Sequence, residues 1–273
     1  MRAIILAGGR GQRLMPLTDG RPKPLVPFLD RPILDYTLAQ LGAAGFTDVV
    51  ITLGYEGARI RAHVGDGSRW GVRVGYSQEE TALGTAGAVR LALARFPARE
   101  PVLIVSGDGL TDFDLAGFYR RMRAARAEAG LLVAAVADPR AYGVVELAGD
   151  GQVVGFVEKP AWLMEGAVVN TGIYYLEPGL LAGVPVGVPV DFGHELFPQW
   201  IAEGRRVRGE AGRGYWCDVG TVEQYRAAHE AALDGRVRLP WPVAVTVGRG
   251  ARGRCIWGRG RSWSRRRRWG RTR

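Results

Sequence analysis

The chain has 273 residues, 47% hydrophobic and 23% charged, which allows one large domain with a sizeable core. No run approaches the roughly 18–20 apolar residues of a membrane span, the N-terminus goes straight into a strand as expected without a signal peptide, and two distant cysteines, Cys217 and Cys255, give neither a disulfide framework nor a zinc spacing. The expected compartment is therefore the cytoplasm, with no membrane partner. A net charge of +10 invites a nucleic-acid reading, but eleven arginines lie from Arg249 to the end with no lysine or acid among them, leaving residues 1–248 at about −1. No basic footprint belongs to the fold, and nucleic acid is not an expected partner.

Residues 3–6 are an apolar run that reads as a buried strand, and Gly8, Gly9 and Gly11 then open a loop. Glycine allows positive φ and close backbone approach, and successive backbone N–H groups in such a loop make a concavity for phosphate oxygens. Arg13 and Lys23 add a guanidinium fork and a point charge, the latter fixed between Pro22 and Pro24. The dinucleotide fingerprint fails here because Leu14 occupies the third small position, and no Gly-Lys-Ser/Thr closes a P-loop.

Residues 33–44 carry apolar positions at helical spacing before Gly45. A β-branched strand over 48–53, a helix over 56–64 and an alternating strand over 72–76 follow. A helix is expected over 85–96, a strand over 102–106, a helix over 114–129 with Asp114 as N-cap, and a strand over 131–137. This alternation predicts an α/β fold with a doubly wound, mostly parallel sheet, whose ligands sit at the carboxyl ends of the strands. Gln78 and Gly84 fall after the third strand, where an amide offers a base edge one donor and one acceptor. Asp108 ends the fourth strand between glycines, and Asp218 offers a second carboxylate in a similar setting, a pairing suited to magnesium. Asp112 and Asp114 read as local helix-start acids. From residue 141 the rhythm turns to strands over 142–146, 152–157 and 168–176, and a helix is expected to about residue 203 and another over 221–233. His63, His194 and His229 have no ligand spacing, and Cys217 reads as a small buried filler.

Residues 6–14 with Pro16-Leu17-Thr18 and residues 22–27 resemble the signature of sugar-1-phosphate nucleotidylyltransferases, nearest the mannose-1-phosphate guanylyltransferases, over about residues 1–235. The resemblance implies a Rossmann-like nucleotidyltransferase fold with inserted sugar-binding strands. It also implies nucleotide contacts at Leu6, Gly8, Gly9, Gly11, Gln78 and Gly84, Mg2+ held by Asp108 and Asp218, and catalysis by Arg13 and Lys23. Sugar and sugar-phosphate contacts are implied at Gly143, Glu158, Lys159, Asn170 and Thr171, with a nucleoside triphosphate and a sugar-1-phosphate as partners; a homo-oligomer is one of the assemblies left open, since subunits of such proteins often meet at the β-helix. Residues 191–198 resemble the mannose-1-phosphate branch more than the thymidylyl branch.

Members of this family often continue into a left-handed β-helix, and residues 243–251 resemble the opening of one rung, within a linker over 236–251. One rung cannot bury a core alone. Residues 252–273 are Arg/Trp-rich without apolar periodicity, which fits a truncated or frame-shifted, disordered tail.

Overall fold

The computed structural model describes residues 1–162, 164 and 166–241; the expected β-helix rung and Arg/Trp-rich tail lie outside the described residues. In chain order the principal elements are β1 (Arg2–Ala7), α1 (Ile33–Ala43), β2 (Asp48–Leu53), α2 (Gly57–Val64), β3 (Arg73–Gln78), α3 (Gly84–Arg95), β4 (Val102–Ser106) and β5 (Gly109–Thr111). They continue with α4 (Leu115–Ala124), β6 (Ala129–Val136), β7 (Gly143–Leu147), β8 (Val153–Glu158), β9 (Ala167–Leu176), α5 (Phe197–Ala202), β10 (Val207–Ala211), β11 (Trp216–Asp218) and α6 (Val222–Leu233).

The main sheet runs β8-β7-β9-β4-β1-β2-β3, with β6 paired to β9 and β10 paired to β6. Strands β4, β1, β2 and β3 are parallel, as βαβ crossovers require. The extension through β9, β7 and β8 is antiparallel, and β10 lies parallel to β6.

Strand alternation divides the core. On β1, Ala3, Ile5 and Ala7 face a layer built from α1, α2 and α4, whereas Ile4 faces a layer built from α3 and α5. Both faces are covered, so the central strands are apolar throughout rather than alternating. A third, smaller core joins Leu14, Val26, Phe28, Ile33, Leu110, Val219 and Ala228, and it seats the segment carrying Lys23.

The helix expected over 114–129 ends at Ala124. Asp114 caps it as expected, accepting from the Gly117 N–H at 2.8 Å. Arg126 then takes φ 50°, and the N–H groups of Glu128 and Ala129 turn to the Arg206 carbonyl. The alanine-rich run has high helix propensity, but sheet pairing overrides it. Asp112 is not a helix-start acid: its two oxygens accept from the N–H groups of Tyr215 (2.6 Å) and Arg238 (2.9 Å), tying two distant segments together. Residues 192–202 form a π turn running into α5, capped by Asp191. Thr221 and Gln224 make a reciprocal capping box at the start of α6.

His229, on α6, has a structural role. Its Nδ1 donates to the Tyr225 carbonyl (2.9 Å), so Nε2 is free to accept from the Leu29 N–H (3.1 Å), and the ring lies 4.5 Å from that of Phe28. Burial pulls its pKa below the ordinary 6.5, against the opposing pull of the Tyr225 carbonyl. The unfolded chain then binds the proton more readily than the folded one, so the contribution is complete above pH 6.5 and is lost as pH falls toward the lowered folded value. The melting temperature of the wild type should therefore fall between pH 7.5 and 5.5 by more than that of His229→Gln; equal falls would remove His229 from the account.

Candidate active site

The parallel strands end together, and the loops leaving β1, β2, β3 and β4 build a trough at their carboxyl ends. After Ala7 the loop passes Gly8 and Gly9 and reaches Gly11 at φ 66°, and Leu14, fully buried, anchors the turn that follows. A Cβ on Gly11 would stand 2.8 Å from the Cβ of Lys23, so glycine is needed there for the lysine stem to pass. The Thr18 hydroxyl donates to the Gly11 carbonyl at 3.0 Å and holds the loop from behind.

Lys23 is buried, and its Nζ donates to Asp108 Oδ2 at 2.6 Å and to Asp218 Oδ1 at 3.4 Å. The register explains the meeting of two residues 110 positions apart in sequence: β11 pairs antiparallel with β5 so that Asp218 stands opposite Gly109, beside Asp108. The Gly107 N–H donates to the Leu6 carbonyl at 2.9 Å, fixing the Asp108 turn to β1, and the Ser106 hydroxyl bonds to Asp108 Oδ1.

Burial alone would lower the Lys23 pKa, but the two carboxylates outweigh it and the ammonium is held above its ordinary value. Asp108 is also pushed upward by burial, yet the close ammonium brings it below the usual carboxylate range. Asp218 is left raised by burial and by the neighbouring Asp108 charge, with Lys23 only partly offsetting them. Among the described residues no group of three or more His, Cys, Asp or Glu is placed to hold a metal. Two carboxylates converging on one cation are hard oxygen donors, and this incomplete set suits Mg2+, which takes one or two carboxylates and fills its shell with phosphate oxygens and water.

Three adjoining clefts run through this centre. One, of about 780 Å³, is lined by Leu6, Gly8, Gly9, Gln78, Gly84 and Asp108 among others. A second, about 540 Å³, shares Gly9 and Asp108 with it and adds Gly11, Arg13, Lys23 and Gly220. A third, about 910 Å³, shares Arg13 with the second and adds Arg140, Tyr142, Lys159 and Gln224. Arg13, exposed, thus stands at the junction between the last two.

The structure brings Arg13, Lys23, Asp108, Asp218 and the glycine loop together. Gln78 lines the first cleft only at its rim: it is exposed, and its Nε2 donates to the Glu79 carbonyl at 3.1 Å. Gly84 begins α3 at φ 68°, where a Cβ would stand 2.5 Å from the Val190 carbonyl oxygen, so its need for glycine is met by the protein itself.

The residues expected on the sugar side divide. Lys159 lines the third cleft and pairs with Glu158 at 3.2 Å. Gly143 makes room first for the Phe156 ring and then for the Glu158 carboxylate, which would lie 2.7 Å from a Cβ there. Asn170 is engaged by its own strand, donating to the Tyr174 hydroxyl (2.8 Å) and accepting from the Gly172 N–H (2.9 Å). The Thr171 hydroxyl is turned inward to the Leu132 carbonyl at 2.7 Å.

Two residues of the third cleft escaped the sequence reading. Tyr142 has its hydroxyl bonded by Gln224 Nε2 at 2.6 Å, and burial, with the Asp218 charge, pushes its pKa up to about 12. Gln224 Oε1 accepts from the N–H groups of Gly220 (3.0 Å) and Thr221 (2.9 Å), so one amide links the Asp218 turn to Tyr142. A glutamine three residues after Thr221 was visible as a capping-box signal.

A glycine loop, a buried lysine and two carboxylates at the carboxyl end of a parallel sheet define an α/β protein equipped for phosphate chemistry. The chain belongs to the nucleotidyl transferase family, which it matches over residues 2–235. It is 34% identical over 224 residues to a mannose-1-phosphate guanylyltransferase of Mycobacterium tuberculosis, covering 82% of this chain and 62% of the relative. It is 36% identical over 238 residues to a glucose-1-phosphate thymidylyltransferase of Streptomyces griseus, covering 86% of this chain and 66% of the relative. The chain therefore spans just under two thirds of the length of both. Among solved structures it resembles HddC from Yersinia pseudotuberculosis complexed with GMP-PN, with a TM-score of 0.71, 26% identity, and coverage of 84% of this chain and 98% of that one. No helix among the described residues is long and apolar enough to cross a membrane.

Proposed function

We propose that the protein transfers a nucleotidyl group from GTP to mannose-1-phosphate in the cytoplasm, giving a nucleotide-sugar and pyrophosphate. The observation that carries this reading is the convergence of Lys23 on Asp108 and Asp218 beside the glycine loop, midway along the trough. The nucleoside fits the first cleft, the triphosphate the second and the sugar phosphate the third. Asp108 and Asp218 would hold Mg2+, which when bound neutralises phosphate charge.

Phosphoryl-type transfer depends on positioning and charge neutralisation rather than on a covalent protein group. Lys23, delivered from the buried side, balances charge at the α-phosphate and the incoming sugar phosphate. Arg13 faces the departing pyrophosphate with a bidentate fork. No general base is required, since a sugar phosphate is already anionic at neutral pH. The alternative is thymidylyl or uridylyl transfer to glucose-1-phosphate, and the name of the Streptomyces griseus relative supports the thymidylyl form.

The test is pyrophosphate release with magnesium, crossing four nucleoside triphosphates with mannose- and glucose-1-phosphate. The expected result is a maximum at GTP with mannose-1-phosphate. A maximum elsewhere keeps the chemistry and changes the substrates. Nucleotide-sugar binding without release by the folded protein would replace the enzyme with a binding relative.

A further inference from the structure

Gln224, in the first turn of α6, does more than a helix cap requires. Its Oε1 accepts from the backbone N–H groups of Gly220 (3.0 Å) and Thr221 (2.9 Å), while the Thr221 hydroxyl accepts from the Gln224 N–H at 3.2 Å. Backbone N–H groups only donate, so the amide oxygen must face them and Nε2 must face the Tyr142 oxygen, 2.6 Å away. The Tyr142 oxygen therefore accepts, and among the described residues nothing accepts the proton of that hydroxyl. Burial, seconded by the Asp218 charge, pushes the phenol up to about 12, so the proton stays in place at neutral pH. The ring is held edge to face against Trp216 at 5.5 Å, and Trp216 Nε1 is itself fixed by the Thr171 carbonyl at 3.1 Å. Tyr142 thus lines the third cleft with a donor that the protein leaves unused.

A cap alone does not explain the amide. Glutamate and glutamine serve a capping box equally, since only an oxygen is used toward the backbone. They differ toward Tyr142: a carboxylate would take the hydroxyl proton and leave only oxygen lone pairs facing the cleft, where a phosphate would meet an acceptor. We propose that Gln224 is a positioning residue for the sugar-1-phosphate, aiming the Tyr142 proton into the third cleft and fixing it to the turn that carries Asp218; this rests on the third cleft being the sugar-phosphate site. The turn is close to the amide: a Cβ on Gly220 would lie 3.0 Å from both Gln224 Oε1 and Asp218 Oδ2, and 3.5 Å from Arg13 Nη2. One side chain therefore sets the spacing between a donor of the third cleft and a carboxylate of the central one.

The test is a double-mutant cycle of Gln224→Glu and Tyr142→Phe. It is read by equilibrium binding of mannose- and glucose-1-phosphate, with and without a non-hydrolysable GTP analogue, by KM for each substrate in pyrophosphate release, and by melting temperature. Gln224→Glu should weaken sugar-1-phosphate binding about tenfold, the scale of one hydrogen bond to a charged group, with the nucleotide KM and the melting temperature unchanged. The inserted carboxylate also repels phosphate, and the cycle separates the two causes. Repulsion persists when residue 142 is phenylalanine, whereas a misdirected proton has no meaning there, so Gln224→Glu should lose most of its effect in that background.

Equal effects of Gln224→Glu in the two backgrounds overturn the inference, as does unchanged sugar-1-phosphate binding. Equal losses toward sugar phosphate and nucleotide reduce Gln224 to a helix cap and overturn it too. Should Gln224→Glu fail to fold, Gln224→Met takes its place in the same cycle: the lost cap appears in both backgrounds and only the positioning part vanishes with Tyr142→Phe. Any of these failures in an enzyme that releases pyrophosphate leaves nucleotidyl transfer standing. Sugar-1-phosphate binding that is lost in Gln224→Glu, from a wild type without pyrophosphate release, sinks the transfer reaction and keeps the inference. A wild type that binds neither sugar-1-phosphate overturns both.

Discussion

Replacing Asp108 by asparagine is expected to cut turnover by roughly 10²–10³-fold, the scale of one preorganised charge-stabilising group, while the protein stays folded. The variant removes the carboxylate nearest Lys23, at 2.6 Å, but keeps a carbonyl acceptor for the ammonium, and Asp218 still provides a negative partner. Breaking a buried pair outright costs about 3–5 kcal/mol; with an acceptor retained, a loss of about 1–2 kcal/mol is expected. Steady-state kinetics and thermal unfolding, measured on the same preparation, separate the two effects. Asp114→Ala is the informative contrast, since that acid caps α4 and should cost about 1 kcal/mol of stability with no change in rate. A near-normal rate in Asp108→Asn would remove the paired carboxylates from the mechanism.

The second large effect is expected at a residue with no functional group. Gly54 follows β2, and a Cβ there would stand 2.6 Å from the Gly8 carbonyl oxygen and 3.0 Å from its Cα. Both contacts are backbone, so no side chain can swing away. The adjacent Tyr55 N–H donates to that same carbonyl at 3.3 Å, which pins the glycine loop to the β2 exit. Gly54→Ala should push the glycine loop off position and lower kcat/KM by about 10²-fold, as displacements near 1 Å do. The accompanying stability loss is expected at about 1–3 kcal/mol. Gly9→Ala meets nothing within 4 Å and should leave the melting temperature unchanged. If Gly54→Ala keeps full activity, the loop is not held from this side.

Most of the fold was legible because burial on both faces leaves continuous apolar strands separated by helical spacing. The strands over 48–53 and 102–106 begin and end where their patterns do. The overlong helix at 114–129 shows the limit: propensity is local, and a carbonyl contributed by Arg206 decided where it stopped. The same division holds for the site. Arg13, Lys23, Asp108 and Asp218 could be picked out because loops with glycines and prolines flank them. Gln78 was singled out because it continues the apolar phase of Val72, Val74 and Tyr76, yet the structure buries Ser77 and leaves Gln78 at the rim. The sugar side was least legible, since whether Asn170 or Thr171 faces a ligand or its own sheet depends on a bulge. That bulge lies between Asn170 and Tyr174, where the register of β9 against β6 shifts.

Strand β9 pairs with β4, β6 and β7 at once. Its Tyr174 stands opposite both Ile104 of β4 and Leu131 of β6, so the strand rivets the parallel half carrying the glycine loop to the antiparallel half carrying Lys159. A hinge between the halves would have to tear main-chain bonds on both sides of this strand. The two ends of the trough are thus held at a fixed span, like the jaws of a gauge rather than those of a clamp. Whatever lies in the trough would then meet a frame whose length is set by main-chain bonds on both sides of β9.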